Sequence, residues 1–486
     1  MIKLLPTKIS FRNIKTDTLF IYSGHFFFFV LLLFSIYFYK ERILFTDSAF
    51  QYFKIINFEK INIEASRYGA ILPQLPTVLF SKLGLNIKLL TIVFSASFVL
   101  LYYAIYVITV HLLKNAEAGF VILLVLTACI SQSFFHPVTE THQSLVFTTL
   151  LYAVLQFQNF RYAFIQPVLA IFLITISFLA HPVALYTNVF VIGYVAIDKK
   201  QLKSAFPYSL ILLAVILAVA KVMLTAGDSY EGRFFAELFQ SSETVFNLSE
   251  TQSLKFFVDR GTTLYLAVII LEVIVAVHFV RRQKYLKLFW TLGIQFVFLL
   301  ITVITYNNGD ATLMMERAFM PLSLFAAIPF MSDIKHKRES LRYIKPLFLV
   351  LIVLLGLNRI YNQGKSFKLR TAFNQELLKK TAQYPNQKFI MNKEEMDNHF
   401  LAFWSNSFET LILSTIDVNV PTQTIFLANQ TENYKKYTEQ PGMQIFMGAD
   451  FWLEWKIESL NPKYFSLPAN KPYLIISMDN FENDAD

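Results

Sequence analysis

The sequence contains one cysteine, Cys129, and charged residues occupy only 16% of its 486 positions. A single thiol excludes a disulfide framework, and Cys129 lies in an apolar run where nothing nearby stabilises a thiolate. A soluble chain of this size is usually about a quarter charged. The scarcity of charge therefore excludes an ordinary soluble protein.

Apolar residues dominate what remains. They make up 55% of the chain, with 51 Phe and 24 Tyr. Apolar runs of close to twenty residues match the hydrocarbon core of a bilayer, because a helix rises about 1.5 Å per residue. The first run is too long for a signal peptide and lacks a small-residue cleavage pattern, so we expect it to be retained. We predict an all-α polytopic membrane protein with about eleven spans, at 19–39, 89–113, 119–135, 143–158, 162–180, 183–197, 205–224, 263–280, 288–305, 318–332 and 346–361.

The net charge of +9 is distributed unevenly along the chain. Lys and Arg fall in the short segments between apolar runs, which indicates a topological bias and not a nucleic-acid partner. The connections 136–142, 181–182 and 306–316 contain neither Lys nor Arg. By the positive-inside rule the N-terminus is cytoplasmic and these connections lie outside. Alternate connections hold the basic residues Lys3, Lys8, Arg12, Lys15, Lys114, Arg161, Lys199, Lys200, Lys203, Arg281, Arg282, Lys284, Lys287, Lys335, Lys337, Arg338, Arg342 and Lys345.

Composition divides the chain into two parts. Residues 1–361 form the predicted transmembrane domain, including an outer loop at 40–88 whose stretches 48–58 and 71–80 are typical of helices lying at the membrane interface. Residues 362–486 are richer in Asn, Gln, Lys and Glu. We expect a small extracytoplasmic α/β domain there, with a helix at 375–383 and strands at 388–391, 423–427 and 473–478.

Two groups in the first outer loop are candidates for chemistry. Asp47 follows the first span, and a carboxylate at the bilayer surface is suited to act as a general base. Asp47 is equally suited to cap the helix that follows. Arg67, beside Tyr68, has a planar guanidinium that can bind a phosphate through two hydrogen bonds. The alternative is a loop arginine that extends to the lipid headgroups.

Two histidines and a glutamate lie between the third and fourth spans, at His136, Glu140 and His142, and His181 emerges on the same side. These residue types bind divalent metals or sugar hydroxyls, although their spacing is not a recognised zinc pattern. We treat all four as substrate-binding candidates and a divalent metal as an open alternative. A lone loop histidine is more often structural.

Glu316 and Arg317 open the tenth span, and we treat both as substrate-binding candidates. An arginine at that depth is suited to neutralise the phosphate of a lipid-linked substrate, whereas the structural alternative is interfacial anchoring. Glu272 lies in the middle of a span, where it suits either a transport site or a hydrogen bond to a neighbouring helix.

These features resemble the GT-C glycosyltransferases, multi-spanning enzymes that use polyprenyl-phosphate-linked sugars. The resemblance covers the architecture of the whole chain and several short elements. An Asp-x-Asp or Asp-Glu pair is absent from the first loop, which speaks against a metal-dependent scheme. The matching elements are Asp47 after the first span, Arg67-Tyr68-Gly69 followed by Pro73 and Pro76, Glu140 in the next outer loop, and Arg317 followed by Pro321-Leu322.

The resemblance implies an inner-membrane enzyme that moves a sugar from a polyprenyl-phosphate donor to a glycan, lipid or protein acceptor on the extracytoplasmic face. It implies that Asp47 is the general base and that Arg317, with Arg67, faces the donor phosphate. Two alternatives remain. A transporter or flippase for a lipid-linked sugar would place ionisable groups near the bilayer midplane. A non-catalytic assembly subunit would tolerate substitution of Asp47 and Arg317.

Overall fold

A computed structural model of the protein describes residues 16–225, 232, 247–334, 344–396, 403–417, 420–449 and 453–477. Most of the polar connection 225–262 and the basic stretches at 1–15 and 335–343 lie outside the described residues.

Helices account for most of the described chain. In chain order they are α1 Thr16–Tyr37, α2 Tyr39–Ile43, α3 Thr46–Phe58, α4 Ile71–Lys82, α5 Ile87–Val107, α6 Ala116–Val125, α7 Glu140–Gln156, α8 Ile165–Ala180, α9 Ala184–Asp198, α10 Ala205–Leu224, α11 Gln252–Arg260, α12 Leu266–Arg281, α13 Tyr285–Thr305, α14 Thr312–Phe319, α15 Pro321–Asp333, α16 Ile344–Thr381 and α17 Asn406–Ile416. Polar caps mark several starts; Asn86, for example, accepts the Leu89 N–H at 2.9 Å.

Length and composition confirm a helical membrane protein. Among the described residues, six segments are long and apolar enough to cross a bilayer: Asp17–Tyr37, Ile87–Leu112, Ala205–Leu224, Tyr285–Thr305, Thr312–Asp333 and Ile344–Thr381. Shorter apolar helices are Ala116–Val125, Ile165–Ala180 and Ala184–Asp198. The count of eleven spans stays a prediction.

The predicted third span is interrupted. Helix α6 ends at Val125, and the chain then runs without a long helix to Glu140, where α7 begins. Helix α16 packs directly on this irregular segment at Gly356. A Cβ atom at this position would lie only 2.5 Å from the Thr127 carbonyl oxygen. Only glycine permits so close an approach at this position.

Two other predicted elements differ in extent. The predicted tenth span is divided into α14 and α15 at Met320, next to Pro321, whose ring cannot supply a backbone N–H. Helix α16 continues without a break through residue 361 to Thr381, so the helix predicted at 375–383 is its last turns. The two predicted domains are therefore joined by one continuous helix.

The C-terminal part contains a small parallel sheet. Strand β1 (Lys388–Asn392) lies between β2 (Thr424–Ala428) and β5 (Leu474–Ile475) and is parallel to both. Strands β3 (Ile445–Ala449) and β4 (Leu453–Lys456) form an antiparallel pair. The three predicted strand segments thus coincide with β1, β2 and β5, and α17 packs against β2 and β3.

Aromatic side chains fasten this sheet region to α3. Phe53 is fully buried, with ring centroids 5.0 Å from Phe408, 5.5 Å from Phe446 and Trp455, and 5.4 Å from Phe465. Beside this cluster, the Asn57 side chain accepts the Asn461 N–H at 2.7 Å and donates to the Ser459 carbonyl at 3.0 Å. Helix α3 therefore lies between the sheet region and the membrane helices.

An ion-pair network joins the ends of α9, α13 and α15. The Lys287 ammonium lies 2.6 Å from Asp198 and 2.7 Å from Asp333, and Lys284 also contacts Asp333. Asp198 and Asp333 end α9 and α15, whereas His181 and Arg317 lie just before these helices begin. The network and the residues predicted to bind substrate consequently occupy opposite ends of the helix bundle.

Candidate active site

Asp47 lies in the first turn of α3, after a short connection from α2. Its carboxylate oxygen Oδ2 is 3.3 Å from His136 Nε2, and its side chain is 50% exposed although protein surrounds it on most sides. Neighbouring residues Thr46, Ser48 and Ala49 are buried. The Asp47 carboxylate is therefore accessible to a ligand, although the residues beside it in the chain are buried.

His136 connects Asp47 to Arg317. The Arg317 Nη1 group donates to His136 Nδ1 at 3.3 Å and also donates to the Thr139 hydroxyl. Because a guanidinium can only donate, Nδ1 must accept, and the proton of the neutral imidazole then resides on Nε2, from which it is donated to Asp47. The ring thus holds Asp47 and Arg317 on its two opposite nitrogens.

The segment that carries His136 is irregular, and α16 satisfies its carbonyls. Arg359 donates to the carbonyl oxygens of Thr127 at 3.0 Å, Ala128 at 2.7 Å and Ile130 at 3.1 Å. Non-helical backbone at membrane depth is tolerated only where protein or water supplies such partners.

Glu316 satisfies the amides that follow. Its carboxylate accepts five hydrogen bonds, from the N–H groups of Ser131, Gln132 and Ser133 and from both serine hydroxyls, at 2.5 to 3.0 Å. Glu316, predicted to bind substrate, is fully buried and occupied by these contacts. Consecutive residues of α14 therefore hold the same segment, Glu316 at its amides and Arg317 at His136.

Arg67 and Glu140 form a second pair. Arg67 Nη1 donates to Glu140 Oε2 at 3.0 Å, with 19% and 5% of the two side chains exposed. Glu140 is the first residue of α7, and Arg67 precedes a short 3-10 turn, Tyr68–Ala70. Tyr68 itself is 48% exposed. The positive charge of Arg67 acts on Asp47 as well, so the two pairs belong to one electrostatic site.

The remaining histidines have other partners. His142 is buried and its ring stacks on Tyr102 at 6.4 Å, while His181 Nδ1 accepts the Val183 N–H at 3.2 Å in its own turn. The His136, Glu140 and His142 side chains thus diverge. Among the described residues, no group of three or more His, Cys, Asp or Glu side chains is arranged to hold a metal ion.

Burial and charge act in opposite directions on the ionisable groups. Burial raises the pKa of Asp47, but the hydrogen bond from His136 and the charges of Arg317 and Arg67 outweigh it and leave the pKa below its usual value. Burial, assisted by Arg317, lowers the pKa of His136 against the opposing effect of Asp47. At neutral pH the site therefore contains an ionised aspartate beside a neutral histidine.

A small cavity of about 30 Å³ adjoins the segment that carries His136. Its wall is largely apolar, with Ser133, Pro137 and His142 on the side of the site and Phe28 and Phe98 among the residues opposite. Arg42, 2% exposed, forms part of the wall and donates to the Ser95 hydroxyl at 2.9 Å and to the Phe134 carbonyl at 2.5 Å. The cavity thus lies between the segment that carries His136 and helices α1 and α5.

A scan of protein-family models finds no match to this chain, and searches of curated proteins and of solved structures find none either.

Sequence reasoning missed several residues that shape this site. Thr139 is part of the 136–142 motif but was not singled out, although a hydroxyl is a natural partner for an arginine. Arg359 and Arg42 stand in or beside apolar runs, and an arginine at such a position is itself a signal of a buried role.

Proposed function

We propose that this protein is a membrane glycosyltransferase that moves a sugar from a polyprenyl-phosphate-linked donor to an acceptor hydroxyl. One observation carries the proposal: a carboxylate and a guanidinium from distant parts of the chain, Asp47 and Arg317, lie on opposite nitrogens of His136. Chemistry that removes a proton at one point and stabilises a phosphate at another requires such an arrangement.

In the proposed reaction, the acceptor oxygen forms a bond to the anomeric carbon as the bond from that carbon to the phosphate oxygen breaks. The acceptor proton passes to Asp47, and polyprenyl phosphate leaves with the bonding electron pair. Arg317 offsets its negative charge, a contribution of about 3–4 kcal/mol for one well-placed donor. The lowered pKa of Asp47 makes it a weak base. Proton transfer should therefore follow glycosidic cleavage, when an oxocarbenium-like carbon has made the acceptor hydroxyl acidic.

The membrane-spanning helices support a lipid-linked donor. Arg317 belongs to Thr312–Asp333, a segment long and apolar enough to cross a bilayer, so a phosphate bound by Arg317 can keep its lipid tail in the membrane. Apolar surroundings of this kind also exclude water, which favours transfer over hydrolysis.

The proposed orientation has the N-terminus in the cytoplasm of a bacterial inner membrane, with the site and residues 362–486 on the extracytoplasmic side. The basic residues Lys199, Lys284, Lys287 and Lys345 support it, because they lie at the end of the bundle opposite Asp47. A surplus of Lys and Arg is typical of cytoplasmic connections. A glycan, lipid or protein acceptor would then approach from the side of the sheet region.

One observation favours a transporter as the second candidate. Transporters use broken helices to bind ions near the midplane, and the predicted third span is interrupted after α6 ends at Val125. Here, however, Arg359 and Glu316 already occupy carbonyls and amides of the irregular segment. Glu272 accepts a hydrogen bond from Gln295 of the neighbouring α13 at 2.7 Å, as expected for a contact between helices. The glycosyltransferase is the better supported proposal.

The decisive experiment is Asp47→Asn, with Asp310→Asn as a matched control. Asp310 is exposed and lies in the 306–316 connection, and its oxygen accepts the Ala311 N–H, which asparagine can also accept. Release of polyprenyl phosphate from a panel of radiolabelled polyprenyl-phosphate monosaccharides is measured in membranes, so the acceptor need not be known.

We expect Asp47→Asn to lower release at least about a hundredfold with unchanged donor binding, the usual scale for a general base. Asp310→Asn should release polyprenyl phosphate at the native rate. Native rates in both variants would remove Asp47 as the base. Uptake of the intact donor into proteoliposomes without its cleavage would support the transporter instead.

A further inference from the structure

A buried carboxylate from the sheet region reaches the chain beside Asp47. Glu409, on α17, is fully buried, and its Oε1 accepts the backbone N–H of Thr46 at 3.2 Å. Arg370 of α16 donates to both oxygens of Glu409 at 2.8 Å, and the Ser405 hydroxyl donates to Oε1 at 2.6 Å. These hydrogen bonds hold the Glu409 side chain in place. Its hydrogen bond with Thr46 therefore holds the backbone at the start of α3.

Thr46 has a backbone conformation that its side chain disfavours. Its φ is +44°, in the left-handed region, where a β-branched residue is rare. Such strain persists only where surrounding contacts impose it. The hydrogen bond from the Thr46 N–H to Glu409 is one such contact. It acts on the peptide unit between Phe45 and Thr46, one residue before Asp47.

Phe45 lies between the Glu409–Arg370 pair and His136. The Arg370 guanidinium lies 5.0 Å from the centre of the Phe45 ring, which in turn meets the His136 ring edge-to-face at 6.2 Å. Residues 45, 46 and 47 thus each contact either the Glu409–Arg370 pair or His136.

We propose that Glu409 is a positioning residue for Asp47: it holds Thr46 in its strained conformation and so directs the Asp47 carboxylate toward His136. The sheet region then completes the active site through the backbone of the first loop. This inference rests on the proposed function, because it takes Asp47 to be the base. Nothing in the sequence between 370 and 409 resembles a catalytic motif, so only the fold reveals it.

The test is a mutant cycle on two positions. Glu409→Asp keeps the charge that Arg370 needs, but its shorter side chain withdraws from Thr46. Thr46→Gly removes the energetic penalty for a positive φ at this position, so the backbone can keep its conformation without the hydrogen bond to Glu409. Polyprenyl-phosphate release gives kcat and KM for the full-length protein, and thermal unfolding in detergent gives a readout that does not depend on activity. Glu409→Gln serves as a second variant at the same position.

We expect Glu409→Asp to lower kcat about tenfold with little change in KM, the scale that corresponds to the strain of one left-handed residue. The double variant Thr46→Gly with Glu409→Asp should recover most of that loss. The effects of the two substitutions on the unfolding temperature should also be non-additive, since they act on one turn. A purely structural role for Glu409 would give no recovery by glycine.

Native kcat in Glu409→Asp and Glu409→Gln would overturn the inference, as would a loss that Thr46→Gly fails to recover together with additive unfolding temperatures. Failure of the proposed function has a different signature. In that case the native protein releases no polyprenyl phosphate, or Asp47→Asn releases it at the native rate, while the non-additive unfolding temperatures still report the coupling of Glu409 to Thr46.

Discussion

Substitution of Glu316 by Gln tests how the irregular segment between α6 and α7 is held. The glutamine oxygen can keep the contacts that Oε1 now makes with Ser131 and Ser133. The glutamine NH2 would replace Oε2 and confront the Gln132 N–H, a donor against a donor. The Gln132 N–H therefore loses its acceptor, and the other hydrogen bonds lose the negative charge that strengthens them.

The magnitude follows from these contacts. A buried donor left without an acceptor costs about 1–3 kcal/mol, and hydrogen bonds to a charged group are roughly twice as strong as neutral ones. We expect Glu316→Gln to lower the free energy of unfolding by about 3 kcal/mol. Because the same segment carries His136, release of polyprenyl phosphate should fall as well.

Equilibrium unfolding of the purified protein in mixed micelles measures this loss. Glu376→Gln is the matched control, since the Glu376 side chain is 67% exposed and pairs with Lys380, one turn away, at 3.3 Å. Such surface pairs contribute less than about 0.5 kcal/mol. If Glu316→Gln unfolds like Glu376→Gln, the hydrogen bonds to Glu316 do not hold the segment and the reasoning fails.

Two further predictions concern the site and the sheet region. In His136→Leu the hydrogen bond that lowers the pKa of Asp47 is lost, so the acidic limb of the pH–rate profile for polyprenyl-phosphate release should move to higher pH; an unmoved limb would show that His136 does not set this pKa. Phe53→Ala should destabilise the protein by about 3–5 kcal/mol and expose the sheet region to limited proteolysis, whereas Phe58→Ala on the same helix, 42% exposed, should do neither.

The sequence predicts helices well and their interruptions poorly. Long apolar runs locate α1, α5, α10 and α13 to within a few residues, because apolar length alone decides whether a helix fits a bilayer. The break after Val125 carries no such signal. It depends on Arg359 and Glu316, which lie far away in the chain and become partners only in the fold.

The candidate site shows the same division. The sequence does single out Asp47, Arg317 and His136. Ionisable residues at the ends of spans on one side of a membrane are few, so they are the expected partners of one another. Their pairing through the two nitrogens of His136 could not be predicted, since it depends on the path of the irregular segment. Glu316 has the same residue type and location as a ligand-binding carboxylate, and only its five donors reveal that it supports the segment.

The unbroken helix α16 has a practical consequence. Its 38 residues span about 57 Å, nearly twice the thickness of a hydrocarbon core. Because α16 continues without a flexible linker, any tilt of its membrane-embedded half also tilts the half that leads to the sheet region. An antibody fragment bound to strands β3 and β4 would therefore report the orientation of the embedded helices, and would serve as a rigid alignment marker for single-particle imaging.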